Sequence, residues 1–116
     1  MTCGMNYNQR EIVLLPFPFS DLSSYKKRPA LIISNNEFNQ THEDVICCLL
    51  TTNLEIDPHS IVIEPNELIE GKLPFKSKIK PYRLFSAQQK IIYKKFGVLN
   101  TEKYTHVIEK LTKIIK

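Results

Sequence analysis

A chain of 116 residues is long enough for one compact core, and its 16 Lys and Arg against 12 Asp and Glu give a net charge of +4 that favours anionic partners. Residues 1–10 are polar and the longest apolar run, Val45–Leu50, is short, so we expect neither a signal peptide nor a membrane span. The cysteines (Cys3, Cys47, Cys48) form no Cys-x-x-Cys pair and the histidines lack ligand spacing, which argues against a disulfide scaffold and predicts no metal or other cofactor.

No repeat, low-complexity tract or linker divides the chain. We therefore predict a single cytoplasmic domain over residues 1–116, in which residues 1–10 form a poorly patterned N-terminal extension.

Short segments of strand character, separated by turn formers, follow one another along the chain. We predict six strands: Glu11–Leu15 (closed by Pro16 and Pro18), Arg28–Ser34, Asp44–Thr52, Ser60–Ile63, Ser77–Phe85 and Tyr93–Leu99. Residues 35–43 are predicted to be a turn-rich connection. From Thr101 the apolar spacing becomes that of an amphipathic helix, capped by Asn100 or Thr101. This succession is typical of a mostly β fold, a small barrel or half-barrel with one terminal helix.

Two predicted strands are apolar on both faces, at Leu31–Ile33 and Val45–Leu50. Only one face can line the interior of so small a barrel, so the other must pack on the C-terminal helix or a second subunit. This pattern predicts a homodimer. Cys47 and Cys48 would point to opposite faces and are predicted to be buried free thiols.

Three segments, in this order and spacing, resemble the MazF/PemK family of toxin endoribonucleases from type II toxin–antitoxin systems: Ile12–Ser23, Lys26–Asn35 and Asp44–Thr52. The first contains Pro-Phe-Pro-Phe and the second Lys-Lys-Arg-Pro, and the likeness continues to the terminal helix. The resemblance implies an SH3-like small barrel of the CcdB/MazF toxin type, a homodimer, metal-independent cleavage of single-stranded RNA, and inhibition by a cognate antitoxin.

The resemblance also implies two catalytic residues. The Arg of the family's Arg-Pro dipeptide is Arg28, and the Thr that closes the third strand is Thr51. When a ribose 2′-OH attacks the adjacent phosphorus, charge builds on the non-bridging oxygens. A guanidinium fork fits that group, and a neighbouring hydroxyl can add one hydrogen bond.

The general acid and base are harder to assign. Parts of the family use an Arg-x-Asp on the fifth strand, and the matching positions here are Lys80 and Tyr82. Tyr82 is a poor substitute for a carboxylate base at neutral pH. His42 and His59 have pKa values suited to proton transfer, although ordinary loop histidines are the simpler explanation.

Basic and aromatic residues around these positions are expected to bind RNA, the cations through phosphates and the aromatic ring of Tyr25 through bases. The cations form two groups, with Lys26 and Lys27 in one and Lys76, Lys78, Lys80 and Arg83 in the other. Phe17 and Phe19 are expected in the core, and the acidic stretch Glu55–Glu70 is expected to lie away from RNA. A groove that holds phosphates also holds carboxylates, so we expect the antitoxin's C-terminal segment to be acidic.

Two rival functions stay open at this point. A CcdB-like toxin would bind gyrase without cutting anything, and a silent barrel would bind RNA without cleaving it. Arg28 and Thr51 favour the nuclease because a gyrase binder has no need of them. Tyr82 in place of a carboxylate keeps the silent barrel open.

Overall fold

The structure is a computed structural model that describes residues 7–18 and 25–116. Within these ranges the chain forms a curled antiparallel sheet of seven strands followed by a C-terminal helix. The strands are β1 Glu11–Pro18, β2 Tyr25–Ile32, β3 Asp44–Thr51, β4 Ile61–Ile63, β5 Leu68–Gly71, β6 Ser77–Gln88 and β7 Lys94–Leu99. The helices are α1 Asn36–Thr41, a 3₁₀ turn at Gln89–Ile91, and α2 Thr101–Ile115. The strand order is β4-β6-β3-β2-β1-β7-β5, which confirms the predicted mostly β half-barrel.

The first strand is longer than predicted, because β1 continues through both prolines to residue 18. On the side of β7 the pairing ends at Leu14, so the last residues of β1 have a sheet neighbour only in β2. Proline is tolerated on such an edge because its missing N–H would have faced no partner strand. The expectation that Pro16 ends the strand was therefore wrong.

The sequence prediction missed three elements, namely α1, β5 and the 3₁₀ turn, and the first two have clear physical reasons. The connection predicted at residues 35–43 contains α1, whose first turn is capped by Asn35 Oδ1 accepting from Phe38 N at 2.8 Å. The edge strand β5 depends on a close approach between two glycines rather than on alternation. A Cβ added at Gly71 (φ +77°) or Gly97 would lie within 2.1 Å of a backbone oxygen of the other strand. Neither feature leaves an apolar pattern in the sequence.

Residues 7–10, which precede β1, are held to the rest of the fold by hydrogen bonds. Tyr7 N donates to Gln89 Oε1 at 3.1 Å, and Gln9 N donates to Asn36 Oδ1 at 2.8 Å. Arg10 adopts a positive φ of 78° and its guanidinium donates to Leu99 O. Residues 7–10 were predicted to be part of a poorly patterned extension. Their backbone and side chains instead join α1, the 3₁₀ turn and the end of β7.

Apolar side chains are buried on both faces of the sheet. One cluster includes Val107 of α2 and is completed by Ile12, Leu31, Cys48, Leu50, Ile61, Ile63, Leu73, Ile79 and Leu99. The cluster on the opposite face, the second cluster, contains Val13, Leu15, Ala30, Ile32, Val45, Cys47, Ala87 and Ile92. The two-sided apolar pattern of β2 and β3 is thus covered within a single chain. It does not by itself require a second subunit, and the dimer must be argued from other surfaces.

The helix α2 begins as predicted, with Asn100 Oδ1 accepting from Lys103 N at 2.8 Å. It spans 15 residues. No helix in the described part of the chain is long and apolar enough to cross a bilayer.

Cys47 and Cys48 are free, buried and on opposite faces, which confirms the prediction for these two thiols. Burial raises the pKa of Cys47 to about 12 and that of Cys48 further. Because the thiolate is the reactive form, we expect neither to react with iodoacetamide at pH 8 in the folded protein, and both to react in denaturant. Mass spectrometry of the peptide that carries them measures this. Rapid alkylation under native conditions would contradict the burial.

Candidate active site

A row of side chains crosses the sheet on the face of the second cluster. Arg28 of β2 pairs with Leu15 of β1, and Thr51 of β3 pairs with Lys78 of β6. The β2–β3 ladder pairs Ala30 with Leu49, and continuing that register by two residues puts Arg28 opposite Thr51. Directly opposite residues of antiparallel strands share a face and lie about 4.5–5.5 Å apart between Cα atoms. On this register Arg28, Thr51 and Lys78 occupy consecutive positions across three strands, with Thr51 and Lys78 inside the β3–β6 ladder and Arg28 two residues past the end of the β2–β3 ladder.

Arg28 and Thr51, the pair implied by the resemblance, are both half-buried. Thr51 Oγ1 accepts from Asn53 N at 3.1 Å, which orients the side chain and leaves its hydroxyl hydrogen as a donor. Because β3 ends at Thr51, the row lies at the rim of the sheet. A guanidinium and a hydroxyl side by side at a rim can hold a phosphate that approaches from solvent.

Lys78, the third member of the row, was expected from the sequence only as one of the cations that flank the site and hold phosphates. Its side chain is 4% exposed and its ammonium donates to Glu55 O at 2.7 Å. The ammonium is shielded from solvent, so its positive charge can act on an anion beside Thr51 through the local electric field rather than by direct contact. The available signal was the alternation in Ser77-Lys-Ile-Lys80. It puts both lysines on one face of the strand that pairs with the end of β3.

Lys80 lies on the same face as Lys78, half-buried and paired with Leu49. The next residue of β3, Cys48, pairs with Leu84, so residues 81–83 form a three-residue bulge outside the ladder. The pair of same-face positions beside Thr51 is therefore Lys78 and Lys80, and Tyr82 lies in the bulge. Among the described residues no carboxylate forms an ion pair with either lysine.

Tyr82 acts as a hydrogen-bond donor in this structure. Its hydroxyl donates to Asp57 Oδ2 at 2.6 Å, and that bond is the main reason that the pKa of Tyr82 is raised. Hydrogen bonds from Ser60 Oγ, then Tyr82, then the His59 amide hold the pKa of Asp57 below its ordinary value. Tyr82 keeps its proton and Asp57 stays ionised near neutral pH. This arrangement argues against Tyr82 as a general base.

The acidic stretch does not lie wholly apart from the row. The carbonyl of Glu55 and the carboxylate of Asp57 both contact β6, through Lys78 and Tyr82. The expectation that Glu55–Glu70 lies away from the site was wrong for this part. At Glu55 the contact uses an uncharged backbone oxygen, whereas the Asp57 carboxylate stays ionised and adds one negative charge near Lys78.

The other basic residues predicted to bind RNA do not all lie on the same face of the sheet as the row. Lys26 is exposed and lies two residues from Arg28, on the same face. Lys27 points to the opposite face, where its ammonium lies 4.0 Å from the ring centroid of Tyr93. Arg83 is exposed in the bulge. The side chain of Tyr25, at the start of β2, lies outside the described parts.

Of the two phenylalanines expected in the core, Phe17 is half-buried and packs edge-to-face on Phe85 with centroids 4.8 Å apart. Phe19 lies outside the described residues.

The two candidate histidines lie at different distances from the row. His42 follows α1, where its ring stacks on Phe38 with centroids 4.0 Å apart. It precedes β3, whereas Thr51 ends it, and eight strand residues at about 3.4 Å each separate the two by more than about 20 Å. His42 is therefore not brought to the site. His59 is exposed in the turn that carries Asp57, next to Tyr82 in the same surface groove.

Within residues 7–18 and 25–116, no three His, Cys, Asp or Glu side chains are grouped to hold a metal ion. The charge of the row comes from side chains.

A family model described as a PemK-like, MazF-like toxin of type II toxin–antitoxin systems matches residues 8–115. The chain belongs to this family. No protein of curated function matches the sequence significantly. Among solved structures, an endoribonuclease from a mycobacterial species in complex with its cognate antitoxin superposes with a TM-score of 0.74. The identity is 19%, over 92% of each chain. A MazE–MazF complex from Deinococcus radiodurans gives a TM-score of 0.78 at 17% identity, over 96% of this chain and 97% of the other. Similarity at these identities shows that the fold is that of the MazF toxins.

Proposed function

We propose that this MazF-family chain is an endoribonuclease that cleaves single-stranded RNA without a metal ion. The observation that carries the proposal is the row of Arg28, Thr51 and Lys78 on one face at the rim of the sheet. In the reaction the ribose 2′-oxygen bonds to phosphorus as the bond from phosphorus to the 5′-oxygen breaks. The 2′-hydroxyl loses its proton and the 5′-oxygen gains one. The products are a 2′,3′-cyclic phosphate and a 5′-hydroxyl.

Each member of the row has a separate task in this reaction. The Arg28 fork binds two non-bridging oxygens, and the Thr51 hydroxyl donates one further hydrogen bond. The ammoniums of Lys78 and Lys80 add positive charge on the same face. Hydrogen-bond donors that are already positioned where negative charge develops stabilise the transition state without reorganisation. In other nucleases a metal ion can supply this stabilisation.

The flanking cations extend the site along the RNA backbone. Lys26 and Arg83 are exposed on either side of the row and suit phosphates of neighbouring nucleotides. Tyr25, at the start of β2, is the proposed base-stacking residue. Lys27, on the other face, contributes only to the overall positive field.

We further propose an antitoxin partner and a homodimer in the cytoplasm, where the RNA substrate is. The row is a concentrated anion site, so an antitoxin segment rich in carboxylates can occupy it in place of RNA. Exposed apolar side chains at the C-terminal end of α2 and on β6 provide a candidate dimer surface: Tyr82, Leu84, Ile114 and Ile115.

The proposal is tested by incubating the purified protein with a long single-stranded RNA in excess EDTA and mapping both ends of the fragments. We expect cuts that leave a 2′,3′-cyclic phosphate and a 5′-hydroxyl. The same RNA annealed to its complement is the control and should remain intact. Protein that binds the RNA and leaves it whole would contradict the proposal and favour the silent barrel.

Thr51→Val is expected to lower kcat for RNA cleavage by about 10²-fold and to change RNA affinity little, because the hydroxyl acts mainly on charge that develops in the transition state. Thr51→Ser should retain most of the activity. Thr52→Val is the matched control, because residue 52 would project from the opposite face. If Thr52→Val had the larger effect, the row would be assigned to the wrong face of β3.

A further inference from the structure

The segment between β3 and β4, residues 52–60, is held against the sheet with almost no hydrophobic burial. Its side chains are exposed or half-buried, and Ile56 is 100% exposed. Apolar burial is the usual source of stability for a segment that lies on a sheet, and here it contributes little. The position of this segment must therefore come from its polar contacts.

Two of these contacts come from β6. The Lys78 ammonium donates to Glu55 O at 2.7 Å, and the Tyr82 hydroxyl donates to Asp57 Oδ2 at 2.6 Å. Lys78 lies in the regular ladder of β6 and Tyr82 lies in the bulge, so the segment is held on both sides of the point where the bulge begins.

The Asp57 carboxylate accepts hydrogen bonds both from residues of its own turn and from β6, so it links the conformation of the turn to its contact with the sheet. Besides Tyr82 it accepts from Ser60 Oγ at 2.6 Å and from His59 N at 3.0 Å. These hydrogen bonds hold the pKa of Asp57 below its ordinary value, so the carboxylate stays ionised and the bonds persist near neutral pH. A third attachment comes from α2, where Lys110 donates to the carbonyl of residue 58 at 2.7 Å.

The same segment completes the environment of Lys78. It supplies the carbonyl that accepts from the ammonium, and Lys78 is 4% exposed with the segment in place. It also follows directly on Thr51, whose hydroxyl oxygen accepts from Asn53 N. Displacing residues 52–60 would therefore disturb two adjacent members of the row at once.

We infer that Tyr82 and Asp57 are positioning residues for the RNA cleavage proposed above, on which this inference rests. Their hydrogen bond holds residues 52–60 against β6 and so keeps the buried charge of Lys78 and the Thr51 hydroxyl in place beside the phosphate. Neither residue contacts the reacting atoms. A displacement of about 1 Å in a site can cost about 10²-fold in rate, so loss of this one hydrogen bond is expected to lower kcat by about tenfold.

The first part of the test needs no RNA. Wild type, Tyr82→Phe and Asp57→Asn are acetylated with an N-hydroxysuccinimide ester at pH 8, and the rate at Lys78 is measured by mass spectrometry relative to exposed Lys90. Lys78 should react slowly in the wild type and about tenfold faster in both variants, because opening of the segment exposes its ammonium. Glu64→Gln is the matched control. It neutralises another carboxylate of the same acidic stretch, which pairs with Lys76 at 3.3 Å, and it should leave the rate at Lys78 unchanged.

The second part measures kcat and KM on the RNA used above. Each single variant should lower kcat about tenfold with KM within about threefold of wild type. The double variant should be no slower than Asp57→Asn alone, because Tyr82→Phe removes a hydrogen bond that Asp57→Asn already weakens. Melting temperature and sedimentation should match the wild type, since Phe keeps the exposed ring and Asn keeps the shape of the side chain.

The two parts separate the ways in which the inference can fail. An unchanged rate of Lys78 acetylation in both variants overturns it whatever the activity. Faster acetylation with undiminished kcat overturns the positioning role. Additive losses of kcat in the double variant overturn the shared hydrogen bond as the cause. Wild-type protein that leaves RNA intact overturns the proposed function and this inference with it, and that case is recognised because the loss appears before any substitution is made.

Discussion

Arg28→Ala is expected to lower RNA cleavage in EDTA by about 10²- to 10³-fold, the usual effect of removing one preorganised donor from a developing oxyanion. The reason is the place of Arg28 in the row beside Thr51 and Lys78, where we propose that its fork binds the scissile phosphate. Single-turnover kinetics with a defined oligonucleotide measure the chemical step apart from binding. Circular dichroism and a thermal melt establish that the variant is folded.

Two further variants separate geometry from charge. Arg28→Lys should recover little activity, because an ammonium keeps the charge and loses the bidentate fork. Arg83→Ala removes the same charge from the exposed bulge. It should raise KM a few-fold with kcat nearly unchanged, as expected for a phosphate contact outside the reaction centre. Full activity in folded Arg28→Ala would remove Arg28 from the mechanism.

Replacing the 2′-hydroxyl of the scissile nucleotide by hydrogen is expected to reduce cleavage at that bond to the rate without enzyme. The proposed nucleophile is that oxygen, and no residue of the row replaces it: Arg28 and the lysines are donors, and Thr51 donates to the phosphate. The measurement uses an oligonucleotide that carries one deoxynucleotide at the mapped cut. RNA binding should be nearly unchanged, because the phosphates that dominate affinity remain.

The control oligonucleotide carries its single deoxynucleotide two positions away and should be cut at the normal rate. Cleavage of the all-DNA strand at a rate similar to RNA would overturn attack by the 2′-oxygen. Such a result would point to a water nucleophile and a different set of products.

The apolar pattern of the sequence predicted β2 and β3, and the Asn100 cap predicted where α2 begins. Arg28 and Thr51 were predicted through the family resemblance, and their juxtaposition follows from continuing the β2–β3 register. Lys78 was expected only among the flanking cations, because its place in the row depends on which residue of β6 stands opposite Thr51. That register is shifted by the bulge, and Pro81 marks the bulge in the sequence without giving its length.

The fold does not bring two of the predicted site residues to the row, and the geometry of single strands explains why. His42 looked suitable by its chemistry alone, and a single extended strand carries it to the far end of the sheet. Lys27 and Arg28 are adjacent in sequence, yet strand alternation sends them to opposite faces. The strand β5 owes its place to the contact between Gly71 and Gly97, which is a property of two backbones.

The bulge of β6 also determines where the chain can change its length. Inside a regular ladder, one inserted or deleted residue turns every following side chain to the other face. Residues 81–83 already lie outside the β3 ladder, so an insertion or deletion there can be absorbed while Lys78 and Lys80 keep their partners in β3. The surface beside the row can therefore change in length with the row left in register, as long as the hydrogen bond from Tyr82 to Asp57 is kept.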